Sequence, residues 1–347
     1  MREAPLMPGN YPDFWNISDS KASAARHHIV HVRIPKTASS TVAGVLVRVA
    51  RALGHVLPQV PAILYRRPAG RLLLLGGALL APSPHAKPML HSASWQALGR
   101  VLFLTSVRRP LERCLSNFYY NHMYEDEHAS LLQAKLEWLN TSCTVDRFAS
   151  DVNEPCCEDY MYRFLSFHWD EPLSEALAHY GFIFVVERME DSLLAFTQKF
   201  QVPLSDVLHL QLRESGKRHT CSFLDSDGKK AHKHPKLEDE EPEVIAYAKT
   251  VFPTRNKRDQ QIYDAASERV DAILRSVDPV TLKVRRKMLR NRLDLSEKFC
   301  RQYTKNCAGC AMRDIGCGQQ CLDKVDRLAT CDEDLSCNVK ALEMDMR

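Results

Sequence analysis

Three times along this chain a short apolar run gives way to a polar loop and then to a helical pattern, and this repetition constrains the fold more than any other feature. The first run, His28-Ile29-Val30-His31-Val32-Arg33-Ile34, alternates and is rich in β-branched residues, so it predicts a strand that stops at Pro35. From Val42 onward, Val45, Leu46, Val49, Leu53 and Val56 recur at three- and four-residue spacing, the period of an amphipathic helix. Residues 101–107 repeat the pattern as a buried strand, with Pro110 opening a helix through Leu115 and Phe118. Residues 181–187 repeat it again, followed by a helical stretch over 191–200. Strands separated by helices predict an α/β fold with a three-layer parallel sheet.

The rest of the chain divides around that core. Residues 1–26 lack periodicity and carry Pro5, Pro8 and Pro12, the pattern of a loosely packed arm. Residues 27–294 hold the α/β domain, ending in charge-rich helices over 235–276 and a basic helix over 277–299. A boundary near 295 sets off a small Cys-rich C-terminal appendage, 295–347, which contains seven of the twelve cysteines. That density predicts an oxidising compartment and a disulfide-stapled tail. Cys307-x-x-Cys310 and Cys317-x3-Cys321 also have zinc-like gaps, but no histidine follows His234, and the irregular spacing favours disulfides and no metal. The sequons Asn16-Ile17-Ser18 and Asn140-Thr141-Ser142 point to the secretory pathway as well.

Charge excludes little. A formal +4, from 47 basic and 43 acidic residues, is too mild to indicate nucleic acid and is compatible with an anionic small ligand or a glycan. No signal peptide and no membrane anchor is visible: the most apolar run, 72–81, is about half the roughly 20 residues of a membrane-spanning helix and carries two glycines, so it reads as one buried segment. A luminal protein of this sequence is therefore expected to have its targeting segment outside this chain.

Two loops carry chemistry. Pro35-Lys36-Thr37-Ala38-Ser39-Ser40-Thr41 joins the first strand to its helix, where helix N–H groups and a partial positive charge favour an anion and Lys36 adds a full charge. Ser39, Ser40 and Thr41 can equally serve only to cap the helix. Glycines are absent, so this is no Walker loop, and a nucleotide-kinase reading loses its main support. The second loop, Arg108-Arg109-Pro110-Leu111-Glu112-Arg113-Cys114-Leu115-Ser116, lies at the next strand-to-helix junction, and Arg108, Arg109 and Arg113 read by themselves as a basic cluster on a solvated turn.

In order, these loops resemble the two donor-binding segments of sulfotransferases that use 3′-phosphoadenosine 5′-phosphosulfate (PAPS). The first is similar to P-K-T-[AG]-[ST]-[ST]-[ST], the 5′-phosphosulfate loop, at all seven positions, and implies a P-loop-like nucleotide-binding core with Lys36, Thr37, Ala38, Ser39, Ser40 and Thr41 around the donor. The second is similar to R-x-P-x-x-R-x-x-S, in which Arg108 and Ser116 match the 3′-phosphate ligands. Arg109 departs from the usual Asp or Asn, which changes the hydrogen bonding available inside that turn. Weaker matches over about residues 28–276 resemble the carbohydrate group that includes heparan sulfate 2-O-, uronyl 2-O- and galactose 3-O-sulfotransferases, which are Golgi enzymes with glycan acceptors. Lys229 and Lys230 fall in a segment similar to a Lys-rich loop that closes over the donor, with an exposed charged turn as the equal alternative. An attacking hydroxyl must lose a proton, and among the 14 histidines His91, 17 residues before Arg108, stands where the catalytic histidine of the 2-O group precedes the second strand; His122 is the runner-up. The resemblance thus implies sulfuryl transfer from PAPS to a carbohydrate hydroxyl with release of PAP, catalysed by His91 and Lys36 without metal. The competing reading is an inactive sulfotransferase-like secreted binding protein.

Overall fold

The computed structural model describes residues 28–34, 36–52, 62–65, 71–75, 78–81, 101–121, 128–142, 157–166, 170–210, 235, 237–300, 319–328, 330–331 and 337–338. Strand β1 (His28–Val32) leads through a short turn into α1 (Ser39–Ala52), and β2 (Ala62–Tyr65), β3 (Arg71–Leu75) and β4 (Ala78–Ala81) follow. Next come β5 (Val101–Val107), α2 (Pro110–Asn121), α3 (His128–Asn140), α4 (Tyr160–Leu165), α5 (Leu173–Ala178), β6 (Tyr180–Val185) and α6 (Met189–Phe200). The C-terminal part is helical: α7 (Pro242–Thr250), α8 (Phe252–Arg255), α9 (Lys257–Arg275), α10 (Pro279–Cys300) and α11 (Gln319–Leu328), then the small pair β7 (Thr330–Cys331) and β8 (Cys337–Asn338).

The main sheet has the order β2-β3-β4-β1-β5-β6. Its centre is parallel as expected: β1 pairs with β5 in the register Val32↔Thr105, β5 pairs with β6, and β4 runs parallel to β1 on the other side. The flank departs from the expected all-parallel sheet, because β2, β3 and β4 are successively antiparallel. The stretch 72–81, read as one buried segment, is instead parts of two strands with two residues between them. So short a link can join antiparallel neighbours, whereas a parallel crossover needs a dozen residues or more.

Burial explains the apolar runs. All six residues of β6 are buried, with α5, α6 and α9 packed against it, which is why its sequence does not alternate. Helix α1 buries Val42, Val45, Leu46 and Val49 together with Ala43, Val47 and Ala50, because it is covered on more than one side. One of its neighbours is the tail helix α11, whose Leu322 and Val325 belong to the same apolar cluster as β1, β5 and β6 and whose Asp323 pairs with the buried Arg48 of α1. A second cluster joins α2, α3, α7 and α8 through Leu115, Phe118, Trp138, Leu139, Val244 and Phe252. Beside it the buried Lys135 ammonium holds Glu240 at 2.7 Å and Glu241 at 2.6 Å.

Two disulfides lock these packings. Cys114–Cys157 ties α2 to the segment before α4, and Cys300–Cys321 ties the end of α10 to α11. The second closes a separation of 21 residues, and a loop of that length restricts the unfolded chain by about 3 kcal/mol. A variant with Cys300→Ser and Cys321→Ser is expected to unfold at lower denaturant by about that free energy, while zinc chelation leaves the wild-type melting curve in place. Stoichiometric, tightly bound zinc in the purified chain would contradict this.

Candidate active site

After β1 the chain turns sharply through Lys36 and Ala38, both left-handed, with φ of 67° and 51°. Neither is glycine, and each such conformation costs an L-residue roughly 1–2 kcal/mol, so the surroundings must hold it in place. Thr37, between them, does the holding: it is fully buried, its hydroxyl donates to the Ile34 carbonyl at 2.8 Å, and it meets the Ser106 hydroxyl of β5 at 3.0 Å. Handedness that alternates along a turn tends to gather successive N–H groups on one side, a concavity suited to anions.

Helix α1 then starts with Val42 N–H donating to the Ala38 carbonyl at 3.1 Å. Ala38 therefore occupies the cap position, and its methyl cannot accept a hydrogen bond. The hydroxyls of Ser39, Ser40 and Thr41 lie inside the first turn, where the backbone N–H groups stand outside the intrahelical ladder. Arg33 reaches over to Ser40, donating to its hydroxyl at 3.4 Å.

The second loop is the two-residue link Arg108-Arg109 between β5 and α2. Pro110 opens α2, and Arg113 N–H makes the first helical bond, to the Arg109 carbonyl at 2.9 Å. Arg108 is largely buried, with Nε 3.8 Å from both Glu112 Oε2 and Glu187 Oε1. Burial draws its guanidinium below the ordinary arginine value, and Glu112 and Glu187 oppose that shift. Glu187 is also shielded from water, which raises its carboxyl, while the Arg109 N–H donates to it at 3.0 Å. Thus the departure at position 109 has a local answer. An Asp or Asn there could accept hydrogen bonds at the helix start; Arg109 instead turns its side chain outward to Glu112 at 3.2 Å, and the carboxylate that stabilises the turn comes from the end of β6.

Arg113 corrects the reading of a solvated basic cluster. It is fully buried, its guanidinium stacked 3.9 Å from the centre of the Tyr160 ring and facing the charge of Asp259. Ser116 lies half-buried on α2, about 9 Å along the axis from Pro110, and side chains on a helix lean back toward its N-terminus. His91, His122, Lys229 and Lys230 lie outside the described residues.

The topology brings the two loops together. β1 and β5 are neighbouring parallel strands about 4.8 Å apart, so residues 36–38 and 108–109 leave the same edge of the sheet. From β1 the next parallel strand, β4, is placed to one side, and from β5 the next, β6, to the other. The connections diverge between β1 and β5, which is where open α/β sheets form their ligand crevice. Glu112, Glu187 and Ser106 were not singled out by the motifs. A signal for Ser106 exists in the sequence, since Thr105-Ser106 is polar within an otherwise apolar strand.

A search of curated proteins and a search of solved structures each return no significant match. The family model described as the sulfotransferase family matches residues 22–264, more than half of the chain and the whole of the β1–β5 crevice. On that match the chain belongs to the sulfotransferase family.

Proposed function

We propose that the chain transfers a sulfuryl group from PAPS to a hydroxyl of a carbohydrate acceptor and releases PAP. The observation that carries this reading is the pair of turns at the carboxyl ends of β1 and β5, one with two left-handed residues, Lys36 and Ala38, and one with an arginine set between two glutamates. The residues fit a nucleotide with two separate anionic groups. Lys36, the Thr37 and Ala38 amides and the α1 first turn at Ser39, Ser40 and Thr41 suit the 5′-phosphosulfate, while Arg108 and Ser116 suit the 3′-phosphate.

In the reaction the acceptor oxygen attacks sulfur in line, the bond from sulfur to the bridging oxygen breaks, and the electron pair leaves on the 5′-phosphate of PAP. Lys36 and the loop amides offset the charge growing there, and His91 takes the acceptor's proton. Lys229 and Lys230 would close over the bound donor. No step calls for a metal. Belonging to a luminal compartment, where the acceptors and the two disulfides are both at home, completes the reading. Transfer of labelled sulfate from PAPS to a panel of glycans tests it; PAP binding without transfer to any acceptor would favour the inactive binding protein.

Arg108→Ala is expected to weaken PAP binding by roughly 1.5–3 kcal/mol and to leave an analogue lacking the 3′-phosphate nearly unaffected. Calorimetry with both ligands decides, and equal losses would remove Arg108 from that role. Glu187→Gln is expected to show the same selectivity with a smaller loss, because it keeps an acceptor for the Arg109 N–H but not the charge facing Arg108.

A further inference from the structure

The end of α3 carries a feature that sulfuryl transfer does not use. Trp138 and Leu139 are buried, the helix stops at Asn140, and Asn140 and Ser142 are both exposed. The turn is fixed: Thr141 N–H donates to the Trp138 carbonyl at 3.2 Å, its hydroxyl donates to the Glu137 carbonyl at 2.8 Å, and its own carbonyl accepts from Cys157 N–H at 3.3 Å. Cys157 is held in turn by the disulfide to Cys114.

A polar clasp surrounds the exposed asparagine. Arg255, at the end of α8, donates to the Asn140 carbonyl at 2.7 Å, to its Oδ1, to the Ser142 hydroxyl at 2.7 Å and to Glu158 at 2.7 Å. The Tyr247 hydroxyl donates to the same Oδ1 at 3.1 Å. Since guanidinium is a donor only, the atom it holds must be the amide oxygen, which assigns the amide nitrogen Nδ2 to the other position.

We infer that Asn140 is a site of N-linked glycosylation, a covalent modification by an oligosaccharide. Asn140-Thr141-Ser142 satisfies the acceptor pattern, with a hydroxyl residue two positions on and no proline between. The transfer forms a bond from Nδ2 to C1 of the first sugar and breaks the bond from that C1 to a lipid pyrophosphate donor; Nδ2 loses one proton and the lipid pyrophosphate leaves. Oδ1 remains an amide oxygen throughout, so the contacts from Arg255 and Tyr247 persist in the modified, folded chain. The glycan then projects from an exposed residue at the end of α3, on the solvent side of the second apolar cluster. The Cys114–Cys157 bridge needs the same oxidising lumen in which such oligosaccharides are attached.

The test directs the full chain into the secretory lumen of a eukaryotic cell and maps the product with peptide N-glycanase in heavy-oxygen water, which converts a glycosylated Asn into labelled Asp. Label at Asn140 is expected, as is loss of one glycan step in gel mobility for Asn140→Gln and for Ser142→Ala, with Ser142→Thr retaining it. Ser142→Ala leaves the Asn140 contacts to Arg255 and Tyr247 intact and so separates loss of the sugar from loss of the clasp. Asn16→Gln, at the other sequon, is expected to leave the Asn140 step unchanged. Recovery of the Asn140 peptide without label from secreted wild-type chain, whether or not Asn16 is labelled, overturns the inference; sulfate transfer is measured separately and does not bear on it.

Discussion

His91→Ala is expected to lower sulfate transfer by about 10²–10⁴-fold while PAP affinity stays near wild type. The expectation rests on a division of labour in the proposed site. In that proposal PAP would be held by the loop at 35–41 and by Arg108 and Ser116, whereas a base on the acceptor side would meet only the attacking hydroxyl. Lys36→Ala is the contrasting case. In the proposed site its ammonium would serve both the bound nucleotide and the charge that grows during transfer, so turnover and PAP affinity should fall together, the first by about 10²–10³-fold. Wild-type activity should also decline as the pH drops through the range where histidine protonates, since imidazolium accepts no proton. Single-turnover rates and PAP titrations on the two variants measure the split. Near-full turnover in His91→Ala would move the base elsewhere, with His122 the next residue to replace.

What the sequence shows clearly is what depends on near neighbours in the chain. The β1–α1, β5–α2 and β6–α6 units follow from a short strand-like apolar run, alternating only in β1, that gives way to an apolar period of about 3.6, and the structure keeps all three within a few residues of their expected limits. The antiparallel flank was missed because 72–81 is apolar throughout, and an uninterrupted apolar run has no period to read. Gly76-Gly77 in its middle was the available hairpin signal. In the site the two anion-type loops were legible because their residues are contiguous. Their supports were not: Thr37 meets Ser106 across 69 residues, and the Arg109 amide meets Glu187 across 78. Arg113 shows the same limit from the other side. Spacing puts it on α2 beside Arg108, but only the packing of α4 and α9 onto α2 makes it a buried cation and not a solvated one.

That packing supports the prediction with the largest expected effect on stability. The helices α4 and α9 cap each other: Asp159 Oδ1 accepts from Arg258 N–H at 3.0 Å and Asp259 N–H at 3.3 Å, and Asp259 accepts from Met161 N–H at 3.0 Å and Tyr162 N–H at 2.7 Å. Asp259 has no solvent exposure and is the carboxylate facing Arg113. Asp259→Ala would leave two buried amides without this acceptor and a buried guanidinium without this charge, a loss of roughly 3–5 kcal/mol. Asp259→Asn keeps one acceptor oxygen and should lose roughly 1–3 kcal/mol. The pH dependence separates the charge from the hydrogen bonds. Burial pushes the Asp259 carboxyl up to about 7, above its value near 3.9 in the unfolded chain. Between those values the folded state binds the extra proton, so this group's contribution is fully present below about pH 4 and is lost as pH rises through about 7. The deficit of Asp259→Asn relative to wild type, taken from denaturant curves, should therefore be largest near pH 4 and shrink toward pH 8. A deficit that grows with pH would show the carboxylate to be charged across the range, with the Arg113 attraction outweighing desolvation. Either way α2, which carries Ser116 and follows directly on Arg108, takes its place in the crevice through a buried carboxyl group about 150 residues further along the chain.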